Sequence, residues 1–388
     1  MERFVSLDLD TKTAFVSTLD PATGKTSQFR ISTAPNELEK FKKTLRPDDI
    51  LCMEACPGSR RVYRQLKSAV AEAHMINPTI FGAILDAHKS KNDRNDSGLM
   101  GKLHMAGALP TVWVPDEQTQ DERQYMAHRM DLDGDRTRTR NRIISIFLEH
   151  GFAHRSDELL KMKADCLLHE VRSSLPEQAL ESLASKLRQL AWIESEIRLV
   201  DARITATPPS KPELIKIAST LPGVSYVMAF AIGAAIGDIT RFKTPNSLPN
   251  GAGVTPSLHS SGPGKPKHGR IKKRGSQLLR WAAIEAADNA RRVPGRFRNL
   301  YRRLIRKGKH HSVALVACAR ELLVVLWHML TKHEEYKELP IETQQRKQKR
   351  RAKQLEEATQ VLKTCPSART TINSSLIPIT NALQSLPS

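Results

Sequence analysis

Apolar positions in the first hundred residues fall into short runs and alternations. Residues 4–9 (FVSLDL), 13–19 (TAFVSTL), 27–32 and 50–54 (ILCME) have the length and spacing of strands, whereas 34–45 and 59–73 space their apolar residues as helices do. The pattern predicts three strands, a helix, a strand and a helix. His74-Met75-Ile76-Asn77-Pro78 reads as a further strand, followed by a polar stretch to Asn92 and a helix over 93–109. An α/β domain over 1–117 is expected. From 118 to 207 the signals turn purely helical, with Leu183, Leu187, Leu190, Ile193, Ile197, Val200 and Ile204 spaced by threes and fours between charges. Such a stripe belongs to a coiled coil or helical hairpin that packs within one chain or joins copies of it. TPPSKPE at 207–213 breaks the helix, a further helical domain over 208–333 follows, and 334–388 reads as a basic, disordered tail.

Composition adds a partner class. A chain of 388 residues with 39% hydrophobic content can build cores for two or three domains. Its 61 Lys and Arg against 41 Asp and Glu leave a formal charge of +20, which favours a polyanionic partner, nucleic acid ahead of membrane. The surplus is local: over 208–330, 21 Lys or Arg face five acids (Glu213, Asp238, Glu285, Asp288, Glu321). Lys265, Lys267, Arg270, Lys272, Lys273 and Arg274 fall within ten residues beside Gly and Pro, and 291–309 forms a second basic run, both suited to phosphate backbones. No stretch reaches the ~20 uninterrupted apolar residues of a bilayer span, and MERFVSLDLD has no signal-peptide core, so a cytosolic protein without membrane contact is expected. The five cysteines are scattered and odd in number, supporting neither a disulfide framework nor a cysteine zinc site.

Three constellations could carry chemistry. An acid inside an apolar strand such as VSLDL is costly unless its charge is compensated, and a divalent cation does this through oxygen ligands. Asp8, Glu54 at the end of a later strand, and Asp93 with Asp96 at i, i+3 on one helix would together suit Mg²⁺ and phosphoryl transfer. Each could instead be a surface or capping acid, and Asp10 rivals Asp8. Leu221-Pro222-Gly223-Val224 resembles a helix-hairpin-helix turn, whose backbone N–H groups can hold a phosphate, or is a plain helix connection. The Gly-rich loop 251–264 runs into the basic cluster, and a hydroxyl of Ser260 or Ser261, with His259 as base, could attack a phosphodiester. Two segments are set aside: DLDGDR at 131–136 lacks the Gly and Glu positions of an EF-hand loop, and His310-His311 lacks partner ligands.

Taken in order, these segments resemble the DEDD-type insertion-sequence transposases of the "one-ten" family, which includes the Piv-type DNA invertases. VSLDLDTKTAFV resembles the family's opening strand, Cys52-Met53-Glu54-Ala55 its strand-ending Glu-Ala, and Lys91-Asn92-Asp93-Arg94-Asn95-Asp96 its Lys-Thr-Asp-x-x-Asp helix start. LPGV, IGDITRF, AGVTP, Ser260-Ser261-Gly262 and Lys273-Arg274-Gly275 with Leu279-Arg280 resemble its transposase domain. Ser6, Asp10-Thr11, Pro57, Asn92 and Ser97 depart from the usual residues, and none removes a catalytic atom. The resemblance implies a ribonuclease-H-like, RuvC-like α/β domain holding Mg²⁺ through Asp8, Glu54, Asp93 and Asp96, central coiled-coil helices, and a helical transposase domain with a helix-hairpin-helix-like segment. It implies Ser261 as a nucleophile joined transiently to DNA, with Ser260 its rival. Lys265, Lys267, Arg270, Lys272, Lys273, Arg274 and Arg280 would contact nucleic-acid backbones. The implied partners are double-stranded DNA, a structured non-coding guide RNA (a bridge RNA) and further copies of the chain, in a dimer or tetramer with composite active sites. The expected function is RNA-guided DNA recombination. The alternatives are an RNA-independent Piv-type invertase, a metal-dependent nuclease or Holliday-junction resolvase, and a catalytically silent nucleic-acid-binding protein.

Overall fold

A computed structural model describes residues 3–87, 93–259, 267–271 and 273–364, with backbone alone for 87, 93–98, 258–259 and 267–268. The chain divides into two units, Met1–Pro115 and Asp116–Ser388.

The first unit is built on a six-stranded sheet in the order β3-β2-β1-β4-β5-β6. In chain order its elements are β1 (Phe4–Leu9), β2 (Thr13–Leu19), β3 (Thr26–Ser32), α1 (Pro35–Lys42), β4 (Ile50–Glu54), α2 (Ser59–Leu66), β5 (Glu72–Ile76), α3 (Pro78–Ala87), α4 (Asp93–Met105) and β6 (Thr111–Val112). β1, β4 and β5 are parallel, and β2, β3 and β6 run antiparallel to their neighbours. This topology is compatible with a ribonuclease-H-like domain. Central parallel strands are covered on both faces, which is why ILCM reads as one apolar run. Val5, Leu7, Leu51 and Met53 face Leu38 and Phe41 of α1 and Val62 and Leu66 of α2. Phe4, Ile50, Cys52 and Ile76 face Phe81 and Leu85 of α3 and Met100 of α4.

Local differences from the sequence pattern have physical causes. Pairing with β4 claims Glu72–Ile76 for β5, so the helix expected to run to 73 stops at Leu66. The stretch to Asn92, expected to be polar, contains the apolar helix α3: Asn77 Oδ1 accepts from Thr79 N (3.1 Å), Pro78 suits a first helical turn, and Phe81 and Leu85, four apart, are buried.

Among its described residues the second unit is helical except for one hairpin. Its elements are α5 (Glu117–Glu149), α6 (Ser156–Leu159), α7 (Ala164–Val171), α8 (Glu177–Ala206), α9 (Pro212–Thr220), α10 (Tyr226–Ile236), α11 (Ser247–Ala252), β7 (Pro256–His259), β8 (Lys267–Ile271), α12 (Gln277–Ala290), α13 (Arg296–Arg306), α14 (His311–Lys332) and α15 (Ile341–Thr364). α5 and α8 form an antiparallel pair: Arg129 bonds Asp201 at 3.0 Å at one end, and Ile143 and Phe147 share a cluster with Leu183 at the other. The α8 stripe is buried within the chain, since Ile193, Ile197, Val200 and Ile204 join the main core. The proline-rich connection after α8 is held down. Ser210 donates its backbone N–H and, at 2.6 Å, its hydroxyl to the Glu122 carboxylate, whose pKa burial raises against the pull of those bonds.

α10 lies at the centre. Its sequence, YVMAFAIGAAI, is apolar all round, and every residue from 229 to 236 is buried. The Ser225 hydroxyl accepts from Met228 N at its start. At its end Arg123 of α5 donates to the carbonyls of Ala234 (2.7 Å) and Ala235 (2.9 Å), and Arg241 donates to those of Ile236 and Ala235 (both 3.0 Å). The alanine face of α12 (Ala282, Ala283, Ala286, Ala287, Ala290) packs into the same core. Gly223 sits at φ +78°, where a Cβ would lie 2.3 Å from the Ala286 carbonyl oxygen, so the LPGV turn is pressed against α12. It serves here as a packed helix connection. α14 is, among the described residues, the one helix long and apolar enough to cross a membrane. Cys318, Ala319, Leu322, Leu323, Leu326 and Leu330 instead bury it in this core.

The expected disordered tail is corrected over Ile341–Thr364, which is α15 packed along α8, while 365–388 lie outside the described residues. Ala358 and Leu362 cluster with Ala202. Lys347 and Arg351 continue this inward face: Lys347 Nζ donates to the Leu221 carbonyl at 2.5 Å, and Arg351 stacks over the Tyr226 ring and donates to the Thr205 carbonyl (3.3 Å). Two cations interrupt the apolar stripe and hide it from a hydropathy reading.

Truncating Arg123 to Ala strips the Ala234 carbonyl of its donor and leaves Ala235 with Arg241 alone, and chemical unfolding should show a loss of about 1–3 kcal/mol. Burial lowers Lys347 from an ordinary 10.5 to about 8. Between those two values the unfolded chain binds the proton that the folded chain has released, so this lysine makes stability rise with pH across that window and fall as pH drops through it. The difference in melting temperature between wild type and Lys347→Met should therefore change across pH 8 to 10.5, and a flat difference would refute the buried contact.

Candidate active site

Asp8 and Glu54 are neighbours by register. β1 and β4 are parallel with Leu7 opposite Met53, and the next residue on each strand is Asp8 and Glu54. By the alternation of a strand they project to the face that carries Phe4 and Ser6 on β1 and Ile50 and Cys52 on β4. Asp8 is exposed and Glu54 half-buried at the carboxyl ends of their strands. Cys56, just past β4, reports on both. Its Sγ donates to the Leu9 carbonyl at 3.9 Å, burial pushes the thiol up, Ser59 hydrogen bonds oppose this, and the charges of Asp8 and Glu54 push it up further. Asp10 lies in the turn beyond β1, where its carboxylate accepts from Thr11 N at 2.7 Å.

α4 covers the same face. Its later turns sit over the amino-terminal end of β1: a Cβ on Gly101 would contact Phe4 and Leu19, and the His104 ring meets the Phe4 ring edge-on at 5.4 Å. Asp93 and Asp96 open the helix, and their side chains are outside the described atoms. From Asp93 to Met105 the helix rises roughly 18 Å, and from Phe4 to Asp8 the strand advances roughly 13 Å. α4 is thus long enough to run from the Phe4 end of the sheet to the Asp8 end. Carboxylate oxygens suit a hard divalent cation.

The second candidate site lies on the β7–β8 hairpin, which the sequence pattern leaves as a flexible loop. Ser260, Ser261, Lys265 and Lys272 lie outside the described residues, and Lys267 is described by its backbone in β8. The base of the hairpin is tightly closed. Ser276 N donates to Gly251 O (2.7 Å) and Lys273 N to Gly253 O (3.2 Å). Gly275 sits at φ +121°, where a Cβ would be 2.2 Å from Gly251 O. Arg280 Nη1 donates to the carbonyls of Ala252 (3.1 Å) and Lys273 (3.0 Å), so this expected phosphate contact also fastens the fold. Arg270, Lys273 and Arg274 are exposed.

The second basic run is partly neutralised within the fold. Arg291 and Arg292 pair with Asp288, and Arg296 with Glu321, while Arg302, Arg303, Arg306, Lys307 and Lys309 remain on the surface. His310 caps α14 through Ser312 N, and His311 Nδ1 bonds the Tyr301 hydroxyl at 2.7 Å. The DLDGDR acids lie mid-helix in α5, with Asp133 on Arg136 and Asp135 on Arg138.

Residues 5–152 match the sequence model of a DEDD-type IS110 transposase domain, described as a transposase, and residues 215–302 match that of the Transposase IS116/IS110/IS902 family. The chain belongs to the IS110/IS116/IS902 transposase family. It is 25% identical over 289 residues to a transposase for insertion sequence element IS1111A of Coxiella burnetii, covering 74% of this chain and 78% of the relative. It is 25% identical over 303 residues to the putative transposase y4qE of Sinorhizobium fredii, covering 71% and 74%. Over 157 residues it is 30% identical to an insertion element IS116 protein of Streptomyces clavuligerus, covering 39% and 38%. Membership in this transposase family makes the chain a DNA-binding, DNA-cleaving recombinase of an insertion sequence, and the DEDD type points to divalent-metal use. The first matched segment contains Asp8, Glu54, Asp93 and Asp96, and the second contains the closed hairpin.

Replacing Arg280 by Ala should loosen the hairpin base. Limited proteolysis within 251–276 should accelerate, with a stability loss of about 1–2 kcal/mol. Unchanged cleavage kinetics would assign the closure to the glycine contacts alone.

Proposed function

We propose that the chain is an RNA-guided DNA recombinase in which an acid site in the first unit and a serine on the β7–β8 hairpin cut and rejoin DNA strands. The observation that carries this is the acid arrangement: Asp8 and Glu54 on adjacent parallel strand ends, on the face covered by the helix that begins with Asp93 and Asp96. Asp8, Glu54, Asp93 and Asp96 would hold Mg²⁺, which when bound supplies positive charge for the attacking and leaving oxygens. The Ser261 hydroxyl attacks the phosphorus of the scissile phosphodiester. Its oxygen forms a P–O bond as the bond to the leaving sugar oxygen breaks, and its proton passes to a base such as His259. One phosphodiester replaces another, so rejoining by a sugar hydroxyl restores the serine. Arg270, Lys273 and Arg274, with Lys265, Lys267 and Lys272 of the same segment, hold the backbone without reading sequence.

A base-paired guide accounts for a surface that offers backbone contacts, because pairing then carries the sequence information. The charge surplus of the second half supports contact with both nucleic acids. Assembly into an oligomer with composite sites is supported by two apolar side chains exposed on the α5–α8 pair, Leu148 (56%) and Trp192 (60%).

Purification from cells carrying the native flanking DNA, followed by sequencing of nucleic acid retained at elevated salt, should recover one discrete structured RNA encoded beside the gene. Asp8→Ala and Ser261→Ala proteins should bind DNA and fail to recombine it. Heterogeneous RNA would favour protein-read inversion. Strand cleavage that is metal-dependent and leaves no Ser261-dependent covalent adduct would favour a plain nuclease.

A further inference from the structure

A second cluster of metal-ligating side chains lies at the other end of the same sheet. Glu72 and His74 are two apart on β5 and therefore share a face, and His104 reaches them from the last turns of α4. Their ligand atoms all lie within 4.8 Å of one another. His74 Nε2 and Glu72 Oε2 are 2.8 Å apart, and the His74 and His104 rings are 5.0 Å apart and tilted by 44°. The site is distinct from the acid site. Glu72 is opposite Ile50 at the start of β4, whereas Glu54 is opposite Ile76 at its end, about 13 Å along the strands.

We propose that Glu72, His74 and His104 form a zinc site that clamps the end of α4 to β5. Two imidazoles and a carboxylate are an established donor set for Zn²⁺, with bonds of about 2.0–2.2 Å and a tetrahedral geometry whose fourth position water can fill. Mg²⁺ demands oxygen ligands in octahedral array and does not suit two imidazoles. The donors are pre-positioned rather than merely close: strand pairing fixes Glu72 and His74, and the His104 ring stands edge-on against buried Phe4. Glu72 and His74 keep 55% and 26% of their side-chain surface exposed, which leaves an entry path for the ion. Zinc bound here ties down one end of the helix whose other end carries Asp93 and Asp96. That consequence rests on the reading of the acid site, and the metal site itself does not.

The test is a Zn²⁺ titration of chelator-treated full-length protein in excess Mg²⁺, followed by calorimetry and by melting temperature. Wild type should bind one zinc per chain with a raised melting temperature, and Co²⁺ in its place should give the visible absorption of a tetrahedral nitrogen–oxygen site. His104→Leu and His74→Gln should each weaken zinc at least ~100-fold and abolish the cobalt spectrum, while Asp8→Asn retains both. Equal zinc binding by wild type and both histidine variants, no zinc binding at all, or loss of zinc in Asp8→Asn would overturn the site. Should His104→Leu fail to fold without metal, His74→Gln carries the comparison, because this partly exposed strand residue leaves the contact between His104 and Phe4 intact. Mg²⁺-dependent strand cleavage by wild type, measured separately, reports on the acid site whichever way zinc falls.

Discussion

The carbonyls at the end of a helix that has no access to water are the constraint on which the larger unit depends. α10 is buried along 229–236, so its last oxygens need donors from elsewhere in the chain. Arg123 and Arg241 supply them from opposite directions in sequence, one from the long helix α5 and one from the turn that follows α10. Burial pulls Arg241 below its ordinary value, against the opposing charge of Asp238. Because α5 is bound to α10 in this way and to α8 along its length, the helical pair and the core of α9, α10, α12 and α14 form a single body. The hairpin is mounted on that body, with its base closed between α11 and the start of α12.

Much of the first unit was legible because its periodicities are local. Strand alternation in FVSLDL and TAFVSTL and the unbroken run ILCM translate directly into β1, β2 and β4. The same alternation that marks Val5 and Leu7 as one face puts Asp8 on the other. α3 is a short apolar run, Ile80 to Leu85, that leads straight into the mostly polar residues 86–92, and taking the two together as one polar stretch hides the helix. The α8 stripe is plain in the spacing of its apolar residues, but whether it faces this chain or another depends on α5, which begins 60 residues earlier.

The less legible features are those in which charge does structural work. Lys347 and Arg351 look like a solvated basic run, yet their aliphatic stems and head groups form the inward face of α15. Arg280 looks like a phosphate contact and is bound to two backbone carbonyls. Glu72, His74 and His104 combine a strand spacing with a residue thirty positions away, and no linear spacing rule connects them. The candidate acids and the Gly-flanked serines, by contrast, stand in short motifs, each of which lies within a few residues.

The contact between Lys347 and the Leu221 carbonyl closes a loop of more than a hundred residues. During synthesis α8 and the LPGV turn emerge long before α15, so until then the flank containing Ala202 and the Tyr226 ring faces solvent. The unit therefore cannot complete its packing while most of it is already outside the ribosome, and its nascent form presents an apolar strip of the kind that chaperones hold. A chain broken between α10 and α15 would keep that strip permanently, which ties the lifetime of such a truncated transposase to quality control rather than to the state of its catalytic residues.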